Sequence, residues 1–455
     1  MEGILVSVLS AIVFLGTLFV MRGTVLDATR PRENPWPLFW YIQLLLVLIP
    51  VVVISNVGTE QIQASGTRVL NGAVPNSEST IAGIVLGTIT IYVLSLSAFL
   101  RLLRLRNLRD EIVFIKKQRS KIIYYGWGLT ALAIALFAVF YIMGFRHAFI
   151  TSLLGSESLL RVRLHNAYDV SIPVQIIPSL FWVGYLLSIF GGFTFRLKSK
   201  IRGVLFFTVA VFIISAPGNK APVVIAILLW FMAARVQMPR ALLSPRSMFI
   251  AGATLLLLSI LIYGLFKWQY PNANIATYPK YIINRIGVGQ MGGTYVTLGY
   301  AYSGNFPEGE YYWALIPGAS LINPEYINYQ KALMMISEGY DYNKIGVKNT
   351  YFISEAYAIG GWWLVWVSPI IVAFSTALGL KLYMILFRSL FFAAAAPQLA
   401  MVLYLFAHDI TGGFAAFPLI KGAIVQGTIL LILILPIKVC DMCINGISNR
   451  KMAYK

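Results

Sequence analysis

IAGIVLGTITIYVLSLSAFL (residues 81–100), RLLRLRNLRDEIVFIKKQRSK (101–121) and IIYYGWGLTALAIALFAVFYIM (122–143) follow one another without a break. The outer two pieces are apolar over about the length of a helix that crosses a bilayer. The piece between them carries eight basic residues. Two spans joined by a basic loop mark a polytopic membrane protein with that loop in the cytoplasm. Working outward, further apolar runs fall at 3–21, 38–54, 174–193, 203–215, 223–234, 248–266, 361–380, 391–407 and 415–437. The expectation is an all-α polytopic integral membrane protein of about eleven transmembrane helices. Of its 455 residues 58% are hydrophobic and 12% charged, which excludes a soluble multidomain chain and a disordered one.

The charges give an orientation. Segments 196–202 and 235–246 carry four and three basic residues, and with 101–121 they are read as cytoplasmic. Alternation then puts 22–37, 381–388 and the tail from Lys438 on the same side, with the amino terminus outside and the carboxyl terminus inside. On this layout the inner side holds 24 basic and 5 acidic residues and the outer side 12 of each, so the net charge of +19 is all cytoplasmic. Such segments suit an anionic lipid leaflet rather than nucleic acid. Glu2 stands where a signal peptide would carry basic residues, so no cleavable signal is expected. The expected organisation is 1–266, with eight spans and an outer loop at 145–173; 267–350, a large extracytoplasmic loop; and 351–455, with three spans and a cytoplasmic tail.

The loop at 267–350 is far longer than an ordinary connection. It holds twelve of the 25 tyrosines and eight asparagines, and five prolines divide it, so short helices on the outer surface are expected. No Walker loop, dinucleotide fingerprint or HExxH pair occurs. Cys440 and Cys443 form a CxxC but lack the other half of a zinc site, so neither metal nor cofactor is expected. The histidines His147, His165 and His408 fall outside, at or near helix ends.

Among the outer cations Lys220 is set apart, because runs 203–215 and 223–234 are short for a bilayer. The turn between them, Ala216-Pro217-Gly218-Asn219-Lys220-Ala221-Pro222, then sits below the surface and lines a cavity, or the bilayer thins and Lys220 reaches headgroups. Arg161 and Arg163 share a face of an extended segment; in a helix Arg161 and His165 do. Arg285 follows Lys280 and Tyr281 in the long loop. Guanidinium groups match phosphate oxygens, so these segments point to a phosphorylated ligand, with solvated ion pairs as the other reading. Glu355, just after Tyr351, opens a helix ahead of Gly360 and Gly361 and is suited to act as a general base or to cap its helix. His408 and Asp409 form a second acid–base candidate.

The layout resembles that of the O-antigen and related polysaccharide polymerases (Wzy type, oligosaccharide repeat-unit polymerases). The resemblance rests on Gly218-Asn219-Lys220-Ala221-Pro222 before an apolar helix, on Arg161 and Arg163 in one outer loop, on Arg285 in the large one, and on residues 349–361. Some members have a glycine eleven positions after each arginine; this chain has Ile172 and Val296 there. The resemblance implies a GT-C-like architecture in a bacterial inner membrane. It also implies a metal-independent glycosyltransferase that joins oligosaccharide repeat units carried on undecaprenyl pyrophosphate in O-antigen, lipopolysaccharide or related polysaccharide biosynthesis. In it Arg161, Arg163, His165, Lys220, Lys280, Tyr281 and Tyr351 would bind substrate, and Glu355, Arg285, His408 and Asp409 would serve catalysis. A chain-length-regulating partner is implied as well. A ligase that moves glycan off the lipid, and a flippase or transporter of lipid-linked oligosaccharide, are the alternatives.

Overall fold

A backbone inside hydrocarbon has to satisfy its own hydrogen bonds, so apolar runs of this length are expected as helices. The computed structural model describes residues 2–29, 37–64, 70, 73–105, 119–155, 159–168, 170, 177–235, 260, 263–264, 287–304, 311, 329–338, 350–390, 428, 431–432 and 435–439. Among the described residues every regular element is a helix. In chain order they are α1 (Glu2–Val20), α2 (Leu38–Val57), α3 (Thr59–Ala64), α4 (Glu78–Leu102), α5 (Arg119–Ile142), α6 (Ala148–Leu153), α7 (Leu159–Tyr168), α8 (Pro178–Arg196), α9 (Lys200–Ser215), α10 (Lys220–Arg235), α11 (Gly292–Tyr302), α12 (Tyr329–Glu338) and α13 (Phe352–Leu390). Helices α1, α2, α4, α5 and α13 contain stretches long and apolar enough to cross a membrane. The described residues are those of an all-α membrane protein. The runs at 248–266, 391–407 and 415–437 lie almost wholly outside the described residues.

One group of helices is built around α4. Helix α1 lies along it and turns Ile12, Leu15 and Phe19 outward, an apolar face fit for lipid. At one end basic and hydroxyl side chains close open backbone carbonyls: Val20 O accepts from Ser97 Oγ (3.0 Å) and an Arg101 guanidinium nitrogen (2.9 Å), and Leu103 O from Lys381 Nζ (3.2 Å). At the other end Asn56 Nδ2 ties α2 to α1 through Gly3 O (3.1 Å) and Ser7 Oγ (3.0 Å).

A second group surrounds α8, which packs against α5, α9 and α10. Two adjacent glycines seat two different neighbours. A Cβ on Gly191 would stand 3.0 Å from the carbonyl oxygen of Gly203 in α9, and one on Gly192 only 2.4 Å from that of Trp230 in α10. Small residues of this kind let helix backbones approach inside a bilayer. The groups meet where Trp182 of α8 packs on Tyr383 of α13, ring centres 5.8 Å apart.

Three features differ in detail from the sequence reading. Helices α9 and α10 are longer than their apolar runs; in α9 the exposed Lys200 and Arg202 continue the helix while their charged heads reach outward. Helix α11 is short, but it is buried against α4 and α13 rather than laid on the surface. Gly299 removes bulk where the helix lies against Val74, whose Cβ and N would stand 3.2 Å from an added Cβ. Finally, α13 is interrupted at Gly360 and Gly361, where the backbone leaves helical geometry. Beyond the break α13 runs alongside α4: Trp366 lies against Gly87, and Phe374 faces Phe99 (5.3 Å). A straight helix would carry Phe352 roughly 20 Å past Trp366. Instead Phe352 meets Tyr92, further along α4 than Gly87, with ring centres 6.0 Å apart. Residues 352–359 therefore fold back into the bundle.

Candidate functional site

Two clusters hold the described residues singled out above. The first gathers cations. After α5 the chain turns through His147, whose side chain caps the short helix α6, and then forms α7. The start of α6 packs on the turn between α9 and α10: Ala148 N donates to Ala216 O at 2.8 Å. Ala216, Pro217 and Gly218 are buried. The turn that sequence placed beneath the surface is thus covered by protein. Gly218 has φ +84°, and a Cβ there would lie 2.7 Å from Arg163 Cγ and 2.9 Å from Ala148 Cβ. The stem of Arg163 on α7 thus rests on this turn, just ahead of Lys220, which opens α10.

Segment 161–165 is helical, so Arg161 and His165 lie about one turn apart on α7. Both arginines are exposed. His165 Nε2 lies 3.4 Å from Gly144 O. Asn166 fixes α7 with a closed pair: its Oδ1 accepts from Arg146 N (2.9 Å), and its Nδ2 donates to Arg146 O (2.7 Å). The amino terminus of α10 adds its partial positive charge to the same place. The arrangement is chemically suited to an anion with several oxygens.

The second cluster surrounds Glu355, which is 8% exposed on the inward-folded part of α13. Its surroundings are rich in hydroxyl groups. Thr294 Oγ1 of α11 accepts from Tyr351 N (2.7 Å) and Ser354 Oγ (2.9 Å). One turn on, Thr297 donates to Gly293 O (2.9 Å) and pairs with the hydroxyl of Tyr329 on α12. Tyr311 packs edge-on against Tyr329 (5.6 Å). Burial pushes the Tyr329 hydroxyl well above the usual phenol range, the Thr297 bond works against this, and the nearby Glu355 carboxylate adds to it. Tyr329 is therefore a neutral hydroxyl near Glu355. Tyr351 is fully buried, and burial raises its hydroxyl in the same sense. Its place in this structure is in the core, holding the segment that carries Glu355.

Arg285, Lys280, Tyr281, His408 and Asp409 lie outside the described residues, and of Lys220 the backbone is described. The residues that sequence reasoning missed are Thr294, Thr297, Tyr329 and Ser354 near Glu355, and His147 as the cap of α6. A signal existed for the first two: Thr294 and Thr297 share one face of any helix formed by GGTYVTLGYAY. A cavity of about 700 Å³ also opens at the end of the first helix group, among Glu2, Asn56, Glu60, Gln61 and Glu78. Its lining is acidic and carboxamide-rich and includes no residue of α7, α10 or α13. Among the described residues no group of histidine, cysteine and carboxylate side chains is placed to hold a metal ion. Comparison with known protein families, with curated proteins and with solved structures finds no match for this chain.

Proposed function

We propose that this protein is a membrane glycosyltransferase that polymerises oligosaccharide repeat units carried on polyprenyl pyrophosphate, at the outer face of a bacterial cytoplasmic membrane. The observation that carries the reading is the seating of α7, with Arg163 resting on the buried Gly218 turn at the amino-terminal end of α10. Guanidinium donors and a helix amino terminus together suit a diphosphate.

In the reaction a hydroxyl of the acceptor repeat unit attacks the anomeric carbon of the donor glycan. The new glycosidic bond forms as the bond from that carbon to the pyrophosphate oxygen breaks. Polyprenyl pyrophosphate leaves with the bonding electron pair. Arg161, Arg163 and Lys220, together with Arg285, stabilise the charge that grows on the bridging oxygen. The acceptor proton passes to a base, for which Glu355 is the first candidate and His408 with Asp409 the second. A general base of this kind contributes about 10²–10⁴ in rate. The tyrosines and asparagines of 267–350 suit the ring faces and hydroxyls of sugars.

The test is incubation of the purified protein with defined lipid-linked repeat units, followed by gel separation of the products. A ladder of lengthened, still lipid-linked glycans is expected. Arg163→Ala should weaken it at least about tenfold, and Glu355→Gln by about the factor given for a general base. Glycan released from the lipid would identify a ligase. Unchanged repeat units would sink the polymerase reading.

A further inference from the structure

We infer that His147 is a positioning residue of the cationic site: its neutral imidazole pins α6 and α7 to the end of α9, so that Arg163 stands on the Gly218 turn only while the ring is uncharged. The inference rests on the reading of that turn as a pyrophosphate seat and adds how the seat is held together.

His147 is 8% exposed and packs against the rings of Phe137 in α5 (5.9 Å) and Phe212 in α9 (4.7 Å), which also touch each other (5.0 Å). Its two nitrogens do different work. Nε2 lies 3.0 Å from the carbonyl oxygen of Phe212, an acceptor only, so Nε2 carries the proton and donates. Ser215 Oγ lies 3.4 Å from the same nitrogen. Nδ1 accepts from Ile150 N (3.3 Å) and thereby caps α6. A single tautomer of the neutral ring meets both demands. A second proton, on Nδ1, would confront the Ile150 N–H and remove the cap. The next residue, Ala148, bonds Ala216 O and lies against Gly218, so loss of the cap loosens the contact on which Arg163 rests.

The electrostatic surroundings favour the uncharged ring. The ionisable groups on the elements around it are Arg146 next in sequence, Arg161, Arg163 and His165 on α7, and Lys220 at the start of α10. The last turn of α5 offers Tyr141 as its titratable group, while α6 and the last two turns of α9 carry none. Among the described residues of these segments there is no carboxylate to balance a second proton. Burial pushes the imidazole below its ordinary range, against the pull of the Phe212 carbonyl. The sign follows. A histidine held below its unfolded value contributes docking that is complete above about pH 6.5 and is lost as pH falls below it. Simple charge would do the reverse, since an added cation beside an anion seat tightens binding as pH falls.

The experiment uses the full chain in lipid nanodiscs with Cys440→Ser and Cys443→Ser. It reads inorganic pyrophosphate affinity and the labelling of Ala216→Cys by a polar thiol reagent, relative to the exposed Leu153→Cys at the same pH. Between about pH 8 and about pH 5.5 the labelling ratio should rise about tenfold with His147 present. Pyrophosphate affinity should fall about tenfold more than in His147→Gln, whose amide keeps a donor for Phe212 O without titrating. In His147→Gln the labelling ratio should stay flat, and in His147→Ala it should be high throughout. A ratio that does not change with pH, or an affinity that climbs as pH falls, overturns the proposal. A rising ratio with no pyrophosphate binding at either pH supports the positioning role and sinks the diphosphate reading instead.

Discussion

Gly218 shows how one residue governs the cationic cluster. Its positive φ is a conformation that costs a residue with a side chain about 1–2 kcal/mol, and the space a Cβ would take is held by Arg163 and Ala148. Gly218→Val should lower stability by about 2 kcal/mol, measured as a lower thermal unfolding midpoint in detergent. It should also cut pyrophosphate affinity about tenfold by lifting Arg163 off the turn. Unchanged affinity would mean that Arg163 owes nothing to that seat. The sequence displayed Arg163 and the Gly218-Asn219-Lys220 turn as separate cationic segments. Their meeting was illegible, because no periodicity encodes a contact between two segments distant in the chain. His147 was equally hidden: a histidine near a helix end reads the same whether it caps that helix or faces water.

At the scale of the element, α13 joins a span to an inward-folded segment through two glycines that are not equivalent. Gly361 has φ 69° and ψ −160°, a region that belongs almost to glycine alone, whereas Gly360 has φ −148°. Gly361→Ala should therefore cost about 1–3 kcal/mol and abolish chain lengthening by displacing Glu355. Gly360→Ala meets Leu364 side-chain atoms at 3.0 Å and should be far milder. Thermal midpoints and product ladders for the two variants check this, and equal effects would refute the account of the break. Sequence reading located the helix opening with Glu355 and the glycine pair after it. It did not give the direction of residues 352–359, because hydropathy measures the length of an apolar run and is blind to a reversal within it. Helix α11 escaped for a related reason. Its glycines and threonines look like loop, yet Gly299 lets the helix approach Val74, and Thr294 and Thr297 keep their hydroxyls bonded in the packed interior.

For the whole molecule, composition and apolar run length were enough to read an all-α membrane protein, since the bilayer leaves few other ways to satisfy a backbone. The expected orientation rests on the basic segments, in which Arg101 and Lys381 close carbonyls at one end of the first helix group. A membrane-impermeant thiol reagent added to intact cells should label Asn76→Cys and leave Arg104→Cys untouched until the membrane is permeabilised. The opposite pattern would turn the first helix group over. How the parts assemble was beyond sequence, because the contact between Trp182 and Tyr383 is specified by shape rather than by pattern.

The paired glycines of α8 carry a mechanical implication. With two neighbouring helices notched into successive residues of one rod, neither can slide along it without colliding with backbone atoms. The turn linking those two helices is thereby anchored like a post, and any movement at the cationic cluster has to come from α6 and α7, which lean on it.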